Sequence, residues 1–188
     1  EEIEILKNRR YDFLFLRTEN KYLKEILELK EDNFLNNSIK ANVIFDQESP
    51  YLKSVLINKG KKENIIIGMS VFSKNYLIGT VIESNFFTSR VLLITDLNSK
   101  IPVVLQDSNV NAILTGTGKK TFLSLEYLPD DFAPEPNKII YTSGKDGFLA
   151  SGIPVAKTYL NKKNELYIKP LADPHQALIV SVAKKKLN

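Results

Sequence analysis

Short apolar runs separated by turn-forming residues fill the sequence from Ile39 onward, and this pattern most constrains the fold. Between Ser54 and Leu105, runs of four to seven residues rich in Val and Ile alternate with Gly, Asn, Ser and Lys. Such runs are typical of short strands joined by tight turns, and their spacing predicts a β-sandwich or β-barrel. The candidate strands are 39–46, 52–58, 69–73, 76–83, 90–95, 101–105, 111–116, 121–126, 138–142, 154–160, 165–169 and 177–182.

A weak internal repeat divides these strands into two related halves. The segment from Thr95 to Leu105 aligns with the segment from Ala172 to Val182, and its Asp96 matches Asp173 at an offset of 173 − 96 = 77 residues. Each copy reads as an Asp-led turn followed by an apolar strand. We therefore predict two small six-stranded β-barrels, since closing each sheet removes its exposed edges. The predicted ranges are 39–107, with C-terminal strands able to complete it, and 108–188.

The region before the strands predicts a helix. Residues 3 to about 35 lack Gly and Pro and are dense in Leu, Ile, Glu and Lys, which favours an α-helix. We assign 1–38 to a coiled-coil helix, so the predicted fold class is mainly β with an N-terminal coiled-coil helix. A single amphipathic helix packed on its own domain is the alternative.

Apolar residues recur every seven positions along this helix and predict a dimer interface. These positions form two rows along the helix, one through Leu6 and Phe13 and the other through Leu16 and Leu23. Asn20 falls in the first row, where a lone Asn often fixes the register of a coiled coil. The predicted dimerisation residues are Leu6, Phe13, Leu16, Asn20, Leu23 and Leu27.

Composition excludes several classes of function. The net charge of +4 is spread along the chain except for Lys184–Lys186, and nucleic-acid binders usually cluster their charge on one face, so we predict no nucleic-acid partner. The absence of cysteine excludes disulfides and thiolate zinc sites. No apolar run approaches the roughly 20 residues that a membrane-spanning helix needs. We predict no cofactor and no metal.

Catalytic motifs are also missing from the sequence. Two β-barrels invite comparison with double-barrel proteases, but a Ser-His-Asp mechanism needs a histidine base, and His175 is the sole histidine. It follows Asp173 in a predicted turn. Asp130-Asp131 reads as a turn and Gly116-Thr-Gly118 as a hairpin. We predict no enzyme activity and no catalytic residues; the alternatives are a degenerate double-barrel hydrolase or a module that binds cell-wall polymer.

Several short motifs together resemble the periplasmic region of the MreC family of rod shape-determining proteins, and in order they cover essentially the whole chain. They are Arg17-Thr-Glu-Asn-Lys-Tyr-Leu23, Ile57-Asn-Lys-Gly60, Gly68-Met-Ser-Val71, Leu77-Ile-Gly-Thr-Val81, Ser89-Arg-Val-Leu-Leu-Ile-Thr-Asp96, Leu125-Glu-Tyr-Leu-Pro129, Tyr141-Thr-Ser-Gly144 and Gly152-Ile-Pro-Val155.

The resemblance implies a scaffold without enzyme activity that maintains bacterial cell shape as part of the cell-elongation complex. It implies a homodimer that can assemble further into filaments. The implied partners are a class B penicillin-binding transpeptidase and other membrane proteins of the complex. It also implies a single membrane anchor before residue 1 and a location on the periplasmic face of the inner membrane.

Two loop aromatics are the predicted partner-binding residues. A scaffold acts through surface complementarity, and binding energy concentrates in a few apolar or aromatic anchors. Phe132 lies in a loop with three prolines, and Phe148 follows Lys145-Asp-Gly147. The alternative is that each ring closes the end of its own barrel.

Overall fold

The computed structural model describes residues 1–26, 38–48, 52–108, 110–145, 149, 151–161 and 165–183. It separates the chain into two compact units, 1–33 and 34–188. Helix α1 (Glu2–Ile26) occupies the first unit and begins with Glu2 and Glu4, whose charge suits the positive end of the helix dipole. The predicted helix is therefore present, and its predicted continuation to residue 35 lies outside the described residues.

The second unit is built from β-strands. Twelve strands occur in the described part of this unit, close to the predicted positions. They are β1 (Ser38–Glu48), β2 (Lys53–Ile57), β3 (Ser70–Ser73), β4 (Tyr76–Ser84), β5 (Ser89–Leu93), β6 (Lys100–Leu105), β7 (Asn111–Gly116), β8 (Leu123–Glu126), β9 (Ile139–Thr142), β10 (Pro154–Leu160), β11 (Leu166–Pro170) and β12 (Ile179–Ala183).

The strands close into two six-stranded barrels, which confirms the predicted mainly-β fold with two small barrels, while the coiled-coil character of the helix stays a prediction. The first barrel has the strand order β1-β12-β3-β4-β5-β2, and the second has the order β10-β11-β8-β7-β6-β9. All of the described pairings are antiparallel, as for β1 with β12 and β6 with β9. The alternation of buried and exposed residues along β5 and β6 fits this closure, because every second side chain points into the barrel.

The two barrels exchange one strand each. The predicted boundary at residue 107 would leave β6 in the first barrel, whereas β6 pairs with β7 and β9 in the second. In return, β12 lies between β1 and β3 in the first barrel. The chain thus crosses between the barrels twice, through the β5–β6 connection at 94–99 and the β11–β12 connection at 171–178. These connections are the two copies of the Asp-led repeat.

The same hydrogen-bonded turn begins each crossover. The Asp96 Oδ1 atom accepts the Asn98 backbone N–H at 2.8 Å, and the Asp173 Oδ1 atom accepts the His175 backbone N–H at 2.9 Å. Asp96 is buried, and its Oδ2 atom also accepts the backbone N–H of Lys53 at the start of β2. The first crossover is thereby fixed to a neighbouring strand.

A shared hydrophobic core joins the barrels. One cluster fills the first barrel and includes Val71, Ile78 and Val182. The other fills the second barrel and also takes in Phe72 and Leu77 from β3 and β4 of the first barrel. Both of these side chains are fully buried. Burying large apolar side chains of one barrel against the core of the other stabilises the pair as one unit.

The Asp96 turn gives the first testable prediction. Asp96→Ala removes the acceptor of three hydrogen bonds, from the Lys53 and Asn98 backbone N–H groups and the Asn98 side chain. Hydrogen bonds to a charged group contribute roughly 1.5–3 kcal/mol each, so the free energy of unfolding should fall by at least about 2 kcal/mol. Urea unfolding measures this change.

Asp173→Ala is the matched control, because Asp173 begins the equivalent turn but is exposed and accepts one described backbone hydrogen bond. Its loss of stability should be clearly smaller. Equal losses in the two variants would contradict the role given to the buried carboxylate.

Candidate partner-binding surfaces

The predicted dimerisation residues lie on an exposed helix. Leu6, Phe13, Leu16 and Leu23 are each at least half exposed, with values from 50% to 63%. The side chain of Asn20 and the whole of Leu27 lie outside the described part of the structure. An apolar face without a covering surface is the expected state of one strand of a coiled coil. The dimer itself stays a prediction.

Phe132 packs on its own barrel. The ring is partly buried against the core cluster of the second barrel, and its backbone N–H donates to the Pro129 carbonyl at 3.0 Å. The end of the same loop is held by Thr158 of β10, whose hydroxyl donates to the Glu135 carbonyl at 2.7 Å. This packing is what the barrel-closing alternative describes, and a role of Phe132 in partner binding stays a prediction. Phe148 lies outside the described residues.

Tyr127, at the start of this loop, has an uncommon conformation. Its backbone φ is +62°, in the left-handed region that non-glycine residues rarely adopt, and its side chain is 77% exposed. Strained backbone of this kind costs on the order of 1 kcal/mol and occurs preferentially where a side chain is held for binding. Tyr127 is therefore displayed by the second barrel rather than packed into it.

An apolar groove adjoins Tyr127. Its cavity volume is about 380 Å³, and its lining residues come from β6, β7 and the loops after β8 and β9. Sequence reasoning missed this groove, because its residues come from four separate segments and share no motif. They are Pro102, Asn111, Ala112, Ile113, Tyr127, Ser143 and Lys145.

A second pair of exposed rings lies at the tip of the β4–β5 hairpin in the first barrel. Phe86 and Phe87 are 60% and 63% exposed and meet edge to face at 4.7 Å between ring centroids. The Lys62 Nζ atom lies 5.6 Å from the Phe87 ring, within the range of a cation–π contact. Phe86 and Phe87 thus belong to a different barrel from Tyr127 and Phe132.

The turn that supports this hairpin tip depends on Glu63 and Gly60. The Lys61 and Lys62 backbone N–H groups donate to the Asn85 and Phe86 carbonyls at 2.8 and 3.0 Å. A Cβ atom on Gly60 would lie 2.2 Å from the Asn85 carbonyl oxygen, so only glycine fits. The hydrogen bond from the Gly60 N–H, with help from Lys59, holds the pKa of the Glu63 carboxyl below its usual value.

The groups considered for catalysis, His175 and the Asp130-Asp131 pair, lie in separate loops. The His175 Nε2 atom lies 3.2 Å from the Thr95 hydroxyl, so it links the two crossovers. Asp130 and Asp131 are exposed in the loop after β8. Within the described ranges, no group of three or more His, Cys, Asp or Glu residues could hold a metal ion. Over the same ranges, no helix is both long and apolar enough to cross a membrane.

Comparisons with known proteins agree on one family. Residues 43–184 match the family model of the barrel core of MreC, a rod shape-determining protein. The cell shape-determining protein MreC of Haemophilus influenzae is 34% identical over 143 residues, which is 75% of this chain and 40% of the relative. The chain thus spans less than half of the length of this relative.

Solved structures give the same result. MreC from Listeria monocytogenes superposes with a TM-score of 0.78 at 26% identity, covering 99% of this chain and 93% of that one. MreC in a complex with a penicillin-binding protein from Helicobacter pylori superposes with a TM-score of 0.58 at 16% identity, covering 79% and 99%. At this identity, the likeness to the Helicobacter pylori protein shows a shared fold only.

The Glu63 interaction generates a pH-dependent prediction. Because the folded-state pKa of Glu63 is lowered, its carboxylate stabilises the fold above the unfolded-state pKa, and this contribution is lost as the pH falls through the folded-state pKa. Glu63→Gln should therefore lower the melting temperature at neutral pH, and the difference from the unmodified protein should shrink on acidification. A difference that stays constant with pH would contradict this account.

Proposed function

The chain belongs to the MreC family of rod shape-determining proteins, and from this premise we propose that it is a scaffold without enzyme activity in the bacterial cell-elongation complex. Its relatives are named cell shape-determining proteins. In this proposal the barrels lie on the periplasmic face of the inner membrane, and a membrane anchor precedes residue 1. The scaffold brings peptidoglycan-synthesis proteins together by binding them.

We propose a penicillin-binding transpeptidase as the principal partner. The complex of a penicillin-binding protein with MreC from Helicobacter pylori is the observation that carries this proposal, because a chain with the same two-barrel fold binds such an enzyme there. Other membrane proteins of the elongation complex are further proposed partners. The barrels supply a rigid surface, so binding does not have to order them first.

We propose that the contact includes the loop 127–137. Phe132 anchors this loop on the barrel core, while Tyr127 projects from it beside an apolar groove. An exposed aromatic ring beside an apolar depression is the arrangement in which interface energy concentrates. Phe148 is the second proposed contact residue.

We further propose that the N-terminal helix forms a coiled-coil dimer through Leu6, Phe13, Leu16, Asn20, Leu23 and Leu27. The exposed apolar side chains of this helix support the proposal, because a dimer would bury them. Dimerisation places two pairs of barrels in one assembly, from which filaments could grow through further contacts.

The loop contact is tested by comparing affinity with thermal stability. Tyr127→Ala should weaken binding to the transpeptidase by ~1–3 kcal/mol and leave the melting temperature nearly unchanged, because the ring is exposed. Phe148→Ala should weaken binding similarly. Phe132→Ala should lower the melting temperature, since its ring packs on the core. Titration calorimetry and thermal unfolding of the three variants give both quantities.

The opposite result for Tyr127 would remove the loop from the interface. If Tyr127→Ala binds the transpeptidase as the unmodified protein does, the groove beside it is not the contact. If Phe132→Ala keeps its melting temperature and loses affinity, Phe132 is the direct anchor instead.

The dimer is tested by placing charge in the proposed interface. Leu16→Asp combined with Leu23→Asp should weaken self-association by roughly a hundredfold, because unpaired charges are costly to bury. Sedimentation over a range of concentrations measures this. Phe15→Asp with Tyr22→Asp is the matched control, because both residues are exposed on the same helix one position away from the seam. Equal effects of the two pairs would contradict a seam through Leu16 and Leu23.

A further inference from the structure

A row of lysine and tyrosine side chains crosses the outer face of the second barrel. In the antiparallel pair β10 and β11, Lys157 lies directly opposite Lys169, and Tyr159 lies directly opposite Tyr167. We call these four residues the lysine–tyrosine ladder. The intervening Thr158 and Ile168 are buried, so the ladder residues share the face that points away from the barrel interior.

Ring and ammonium contacts hold the ladder in place. The Tyr159 and Tyr167 rings stack with centroids 5.6 Å apart and planes at 16°. The Lys157 Nζ atom lies 5.5 Å from the Tyr159 centroid, and the Lys169 Nζ atom lies 6.0 and 5.2 Å from the two centroids. Phe122 closes one end, edge to face with Tyr167 at 5.8 Å. Both ammonium groups are therefore concentrated around one pair of rings.

The charge of the ladder is not neutralised within the described residues. Over those residues, neither Lys157 nor Lys169 forms an ion pair, and neither tyrosine hydroxyl forms a hydrogen bond. The carboxylate of Glu165, just before β11, accepts instead from the Asn161 side chain at 2.7 Å. Like charges directly opposite each other on a sheet are destabilising, so a bound anion would offset the repulsion between Lys157 and Lys169.

We propose that the lysine–tyrosine ladder is a docking surface for an acidic, extended segment of a partner polypeptide. Charge complementarity carries the proposal: two ammonium groups and two free phenol hydroxyls present hydrogen-bond donors to carboxylates. The covered ring faces disfavour sugars or bases, which need an open ring to stack on. All four ladder residues are half-buried, so side chains of an extended segment reach them more readily than a flat lipid surface does.

The ladder is distinct from the loop contact proposed above, and its test requires no transpeptidase. The probe is a labelled peptide of alternating Glu and Ser, compared with the same peptide carrying Gln in place of Glu. Fluorescence anisotropy with the whole chain should show binding of the acidic peptide alone. The affinity should fall as salt is raised, because exposed charges are screened.

Matched double variants localise the binding. Lys157→Gln with Lys169→Gln should weaken binding of the acidic peptide by about tenfold, since two charge contacts are lost. Lys74→Gln with Lys119→Gln removes the same net charge at two exposed positions and should change affinity by less than roughly twofold.

Three results would overturn the proposal. The first is an unmodified chain that does not bind the acidic peptide. The second is an equal loss of affinity in both double variants, which would indicate general charge attraction. The third is ladder-dependent binding to vesicles rich in phosphatidylglycerol without binding to the peptide, which would assign the surface to a membrane.

Discussion

The buried carboxylate of Asp96 is the interaction on which the two-barrel arrangement depends. It closes the turn that carries the chain from the first barrel into the second, and it also binds the backbone N–H at the start of β2. The returning crossover reaches the same place, because His175 lies beside the Thr95 hydroxyl. Gly116 at the end of β7 packs so closely that a Cβ atom would lie 1.9 Å from the Asp96 carbonyl oxygen. Strands of both barrels therefore meet at the first crossover. The first crossover leads into β6 of the second barrel, and the second crossover leads into β12 of the first barrel.

This strand exchange makes the barrels interdependent. The first barrel needs β12 from the end of the chain, and the second needs β6, which follows directly from the first. Phe72 and Leu77 add apolar contacts from the first barrel to the core of the second. A shared core and two crossovers resist relative motion of the barrels, since separating them would expose buried apolar surface and break the crossover hydrogen bonds. Surfaces on the two barrels are thus presented on one body.

Local sequence patterns predicted the positions of the strands well. They did not predict which strands pair with each other over long distances in the sequence. Short apolar runs bounded by turn-forming residues located the strands, and the 77-residue repeat revealed the two Asp-led turns, since both signals are contiguous in sequence. The boundary at 107 was wrong for β6, because a strand that pairs at long range reads like any other apolar run. The groove beside Tyr127 gave no signal for the same reason. The ladder has an alternating Lys and Tyr signal in each strand, but the register that opposes like residues appears only in the folded sheet.

The groups proposed for binding share one property: each is in an arrangement that is unfavourable in the isolated chain. Tyr127 is held in a left-handed conformation and exposed, although burial would gain free energy. The lysines of the ladder oppose each other, and the apolar side chains of α1 are exposed to water. Each feature costs stability in the isolated chain, and the cost is tolerable because the shared core and the crossovers stabilise the barrels independently. A scaffold of the proposed kind would be stabilised most when contact with a partner relieves these costs. In the proposed scaffold, partner binding therefore belongs to the surfaces, while the shared core and the Asp96 crossover hold those surfaces in place.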